Sequence, residues 1–147
     1  MLFVSTLISC TAKIENNANP KPLPIIGTWQ LVSGTLIEKG DTVVTDYTQT
    51  RSFIKIINAT HFSFIQHDLN KGRGADSSFS AGAGSYTLID STYTEHLEYC
   101  IDRNWEGHNF SFTLNLQNDT LIQRGTEIIE TSGINRLNIE KYVRIKQ

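Results

Sequence analysis

The sequence predicts an all-β domain, an antiparallel up-and-down barrel of eight to ten strands, on three observations. From Gly27 onward apolar residues recur at every second position almost throughout. Short turn sequences separate these runs, and no stretch between them has the periodicity of a crossover helix. Thr, Ile, Ser, Phe and Tyr are plentiful, whereas there are only three prolines and one methionine, a strand-forming composition.

Each element has its own signal. A first strand over 27–37 opens with Gly27-Thr28-Trp29 and stops at Glu38-Lys39-Gly40-Asp41, a turn sequence. Strands at 43–48 and 51–58 follow, and Asn58-Ala59-Thr60 joins the latter to 61–67 as a tight hairpin. Residues 68–77, polar and glycine-bearing, form the longest loop. The strand 78–89 contains Gly82 and Gly84, which suit a bulge or sharp bend at a barrel corner. Asp90-Ser91 leads into 92–102. In 108–117, Phe110, Phe112, Leu114 and Leu116 alternate with Asn109, Ser111, Thr113 and Asn115, so one face is buried and the other wet. Gln117-Asn118-Asp119 turns into 119–128, and 137–146 is the last strand; short helical turns fit near 67–76 or 130–136. Sequential strands with short turns make a meander, and closing it removes both exposed edges.

The chain of 147 residues has room for one such domain. Apolar residues are 39% and charged residues 19%, the balance of an ordinary globular domain. Thirteen Lys and Arg against fifteen Asp and Glu give a formal charge of −2, which disfavours nucleic acid as a partner.

The N-terminus differs from the rest. Residues 1–10, MLFVSTLISC, are apolar but too short to span a bilayer, which needs ~20 residues. Leu7-Ile8-Ser9-Cys10 resembles a bacterial lipobox, although no basic segment precedes the apolar run. The reading is a shortened lipoprotein signal ending at Cys10, a polar, Asn-rich tether over 11–25, and the barrel over 26–147. Acyl chains on Cys10 would hold the protein to a membrane, each buried CH₂ contributing ~0.8 kcal/mol. Cys100 would then be an unpaired thiol in an apolar strand.

The Gly-x-Trp of the first strand, Gly27 and Trp29, resembles the signature of the lipocalins and the wider calycin group. That resemblance implies that Trp29 packs across the closed end of the barrel and that an arginine of the last strand, here Arg144, covers its ring. GTWQLVSG, IKIINATHFSFI, GAGSYTLID, STYTEHLEYC and IEKYVRIK together look like a group of bacterial lipocalin-like proteins, over essentially everything after the tether. Tyr142 stands where that group commonly has tryptophan, and Gly82-Ala83-Gly84-Ser85 replaces a tighter pair of glycines. The resemblance implies a fold and a secreted or membrane-attached setting; with acyl chains on Cys10, the protein would sit on the extracytoplasmic side of the bacterial cell envelope. It assigns no catalytic or ligand-binding residue.

Strand alternation assigns Tyr93, Glu95, Leu97, Tyr99 and Ile101 to the lumen, and Thr94, His96, Glu98 and Cys100 to the outside. Glu95 then lies among aromatic rings and needs a partner, for which Arg124, Arg144 and the hydroxyls of Tyr86 and Tyr99 are the candidates. Three roles fit Glu95: a satisfied interior ion pair, an anchor for a ligand's head group, or an acid or base shifted by burial. Tyr86, Tyr93 and Tyr99 are read as lumen-lining, and Phe62 and Phe64 as inward, with His61 and His67 outside. The four histidines lie on separate segments; there is no Gly-x-Ser-x-Gly elbow, phosphate-binding glycine loop or paired-cysteine metal motif, so no metal or cofactor is expected.

The function this supports first is a lipid-anchored lipocalin-like protein that binds a small hydrophobic or amphipathic molecule through Glu95, Tyr86, Tyr93, Tyr99 and Arg124. A filled barrel serving as a structural or interaction domain is the alternative. An isomerase or hydrolase using Glu95 is the third, on fold analogy alone.

Overall fold

A computed structural model describes residues 23–75 and 77–146. The segment read as a signal, Cys10 and most of the expected tether lie outside the described residues. Nine strands follow in order: β1 (Gly27–Glu38), β2 (Asp41–Asp46), β3 (Arg51–Ile57), β4 (His61–Asp68), β5 (Phe79–Ile89), β6 (Thr92–Cys100), β7 (Asn109–Gln117), β8 (Thr120–Ile129) and β9 (Ile134–Arg144). All pairings are antiparallel, and β1 also pairs with β9, so the sheet closes on itself.

The count of barrel strands is eight, because β2 and β3 occupy one position between them. The second half of β1 pairs with β2 and its first half with β3, on the same edge. Tyr47 bridges the interruption by donating its backbone N–H to the Val32 carbonyl. The result is a closed up-and-down barrel, compatible with a lipocalin-like fold. Single-turn 3₁₀ segments occur at Arg103–Trp105 and Glu130–Ser132. The second falls where a helical turn was expected. After β4 the chain instead winds around the Asp68 carboxylate, which accepts the backbone N–H groups of Asn70, Gly72 and Ser78.

One end of the barrel is plugged. Trp29 is fully buried, and its indole N–H donates to the Ile25 carbonyl at 2.8 Å. The Arg144 guanidinium lies over the indole with its carbon 4.0 Å from the ring centroid. Its two terminal nitrogens donate to the carbonyls of Ile26 (2.8 Å) and Pro24 (2.6 Å). Three consecutive carbonyls, 24 to 26, are therefore satisfied by the side chains of Trp29 and Arg144, which fixes the incoming segment across the barrel floor. Leu23 and Ile25 pack on the core, so the packed unit already includes them. Above the plug, Leu31, Ile57, Phe62, Tyr93, Leu114 and Leu121 fill this half of the interior. The alternation on β7 holds: Phe110, Phe112 and Leu114 are buried, and Asn109, Ser111, Thr113 and Asn115 exposed.

Gly27 is required at its place. Its φ is +145°, and a Cβ there would come within 2.6 Å of the Arg144 guanidinium. Gly27→Ala must therefore distort the backbone or displace Arg144 from the indole. The expected cost is about 1–3 kcal/mol, read as a lower urea midpoint at unchanged slope. A loss below about 0.5 kcal/mol would show that the close approach is not needed.

Candidate functional site

Opposite the plug, the interior is hollow. A cavity of about 270 Å³ opens there, lined by residues of all nine strands. Its wall is aromatic and aliphatic: Leu36, Tyr47, Phe53, Phe64, Leu97, Trp105, Phe110 and Phe112. Phe53 and Phe64 stack with centroids 5.6 Å apart, and Tyr47 meets Phe53 edge-on.

The floor of the cavity is charged. Lys55 on β3 is buried and forms an ion pair with Glu95 of β6 at 2.5 Å. Its ammonium also donates to Gln123 of β8 at 2.9 Å. The rings of Phe62, Tyr93 and Tyr142 stand 5.5, 5.6 and 5.5 Å from the same nitrogen. The Lys55 ammonium thus sits in an aromatic box with a carboxylate and an amide oxygen, which together replace the water it has lost. Higher on the wall, Glu127 takes Arg136 at 2.7 Å and the Asn138 amide at 2.9 Å. The Arg136 guanidinium lies 5.0 Å over the Trp105 ring.

Glu140, on β9, is the remaining floor carboxylate. It accepts the Tyr142 hydroxyl at 2.8 Å. No described Lys or Arg forms an ion pair with it. Burial pushes its carboxyl above the ordinary value of 4.5, with Glu95 and Glu127 adding to the effect and Lys55 and the Tyr142 hydroxyl opposing it. Burial likewise raises the Tyr142 and Tyr93 hydroxyls. The Tyr93 hydroxyl is fully buried without a hydrogen-bond partner among the described residues.

The expected site residues separate into groups. Glu95 lines the cavity, but its partner is Lys55, not Arg124, Arg144 or a tyrosine. Arg124 is exposed on the outside of β8, and Gln123 takes the inward place. Tyr99 is also outside, 65% exposed. The cause is a bulge: Ala83 pairs with Tyr99 and Gly84 with Leu97, leaving Glu98 without a partner. One extra residue reverses the alternation, so Cys100 turns to the cavity and Tyr99 away from it. Gly84 permits this, since a Cβ there would run into the His96 carbonyl oxygen. Ile101 lies at the rim, lining the cavity yet 57% exposed. Tyr86 packs on Tyr93 and donates to the Asn58 carbonyl near the plugged end, away from the cavity. Tyr93 forms part of the box around Lys55. Trp29, Gly27 and Arg144 meet as the resemblance implied. Phe62 and Phe64 turn inward, with His61 and His67 outside.

Lys55, Gln123, Glu127, Arg136, Asn138 and Glu140 were not singled out from the sequence. For β9 a signal existed: Arg136, Asn138 and Glu140 share the parity of Tyr142 and Arg144, and the latter's inward place was already implied. No family model matches the chain, and no curated protein matches it. Among the described residues, no group of three or more His, Cys, Asp or Glu side chains is placed to hold a metal ion.

The Lys55–Glu95 pair makes an energetic prediction. Lys55→Met alone strands a buried carboxylate and costs about 3–5 kcal/mol. Adding Glu95→Gln should restore at least half of that in urea unfolding. A double variant as weak as the sum of the two single losses would contradict the pairing.

Proposed function

We propose that the protein is a lipocalin-like binding module that takes one small amphipathic molecule into the open half of its barrel. The observation that supports this is the cavity of about 270 Å³, just below the ~300–1,000 Å³ of ordinary small-molecule sites. Its wall is apolar and aromatic, and its polar groups converge on the floor, so a ligand would enter body against wall and polar group down. Binding rather than catalysis is favoured because Glu95 is committed to Lys55 and Glu127 to Arg136. The hollow also sets this reading above a filled barrel acting only through its outer face. The N-terminal sequence adds a lipid anchor at Cys10 in the bacterial cell envelope. The N-terminal segment joins the barrel at the plugged end, which would leave the cavity mouth facing away from the anchor.

The test is native mass spectrometry of the protein purified from its own host. One small-molecule adduct per chain is expected, and it should be absent from a Ser80→Trp variant, in which an indole crowds the cavity lining. A bare mass for the wild-type chain under gentle desolvation would contradict a resident ligand.

A further inference from the structure

The charges of the cavity narrow the ligand. Two cations line it, Lys55 and Arg136, and each already holds a carboxylate, Glu95 and Glu127. Glu140 is left over, held among the described residues by the Tyr142 hydroxyl. Asp102, at the rim, adds negative charge; its carboxylate accepts the Asn104 N–H of the adjoining 3₁₀ turn. Among the described residues, an anionic guest would meet no free cation and an excess of carboxylates. A cationic guest would meet an available carboxylate and an aromatic wall, and ammonium groups are attracted to both. Within the same barrel, Lys55 already demonstrates this recognition: an ammonium held by a carboxylate among three aromatic rings.

We infer that the cavity takes a small organic cation, an ammonium carried on an aromatic or aliphatic body, with Glu140 as its counter-ion. This rests on the cavity being a binding site. Tyr47, Phe53 and Phe64 would flank the body, while Tyr142 keeps its hydrogen bond to Glu140 and orients the carboxylate. The small volume excludes long-chain amphiphiles from entering whole.

Cation binding is also coupled to a proton. The titratable groups around Glu140 are Tyr47 between β2 and β3, Lys55 on β3, Tyr93 and Glu95 on β6, Glu127 on β8 and Tyr142 on its own strand, with Gln123, Arg136 and Asn138 also in the cavity lining. The β1 residues of the cavity, Gly34 and Leu36, carry no charge. Burial among these groups holds a proton on Glu140 above the ordinary carboxyl range. Where that proton is present, an arriving ammonium replaces it, and the proton leaves to solvent as the carboxylate and the cation pair. The affinity should therefore fall as pH is lowered through the raised Glu140 titration.

Isothermal titration of the full chain with phenethylamine, phenylpropanol and phenylpropanoate separates the possibilities. The amine should bind at least about tenfold more tightly than the alcohol, as a charge-assisted contact requires, and the carboxylate most weakly. Its enthalpy should vary with the ionisation enthalpy of the buffer, reporting proton release. Glu140→Gln, which keeps an acceptor for Tyr142, should bring the affinity for the amine down to that for the alcohol, and a single cooperative urea transition shows that the variant is folded. Equal amine and alcohol affinities, a preference that survives Glu140→Gln, or tightest binding of the carboxylate would each overturn the inference and leave the binding module standing. No binding of any probe, with a resident ligand found by mass spectrometry, would overturn the cation alone. No probe and no resident ligand would sink both.

Discussion

The barrel depends on the contact between Trp29 and Arg144. A meander closes only if its first and last strands pair, and these two residues face each other in the β1–β9 register. Bringing such distant segments together carries a loop-closure cost that local contacts do not repay. The stacked guanidinium and indole repay part of it, and they do so with polar groups fully occupied. Three donors, the indole N–H and the two terminal nitrogens of Arg144, meet three successive backbone carbonyls across the floor. Lysine at 144 would supply charge but neither the planar face nor the fork that reaches two carbonyls.

Sealing one end decides where the polar chemistry sits. The plugged half is apolar and solid, so every inward charge lies beyond it. Lys55 marks the boundary: its aromatic box closes the packed core on one side and forms the cavity floor on the other. Buried ions are costly unless each has a partner, and two of the three inward carboxylates meet that condition with cations. Glu140 meets it with a hydroxyl instead, and burial raises its carboxyl above the ordinary value. The same constraint that stabilises the barrel therefore leaves one acid at the base of the open half.

Most of the fold was legible because strand alternation and turn chemistry are local. Phe110 to Leu116 announce their faces without reference to any other strand, and the spacing of the turns implies the meander. The Trp29–Arg144 closure was legible only through resemblance, since neither residue signals its partner alone. The site was harder. Lys55 hides in RSFIKII, where both faces are apolar and alternation is silent. The Glu98 bulge is a cross-strand event, so counting by twos along β6 sends Tyr99 inward and misplaces it. Arg124 was chosen as a cation in reach of Glu95, but its outward parity is set by Leu121 and Gln123, which are buried. Glu140 was readable in principle, one step of parity from Tyr142. Its lack of a cation is not, because that depends on which partners Glu95 and Glu127 have already taken.

A double-mutant cycle between Trp29→Leu and Arg144→Met, measured by urea unfolding, addresses the closure directly. A coupling energy of about 1 kcal/mol or more is predicted for a stacked cation and indole that share the same floor. Losses that add to within about 0.3 kcal/mol would mean that the two side chains act independently and that the barrel is closed by something else.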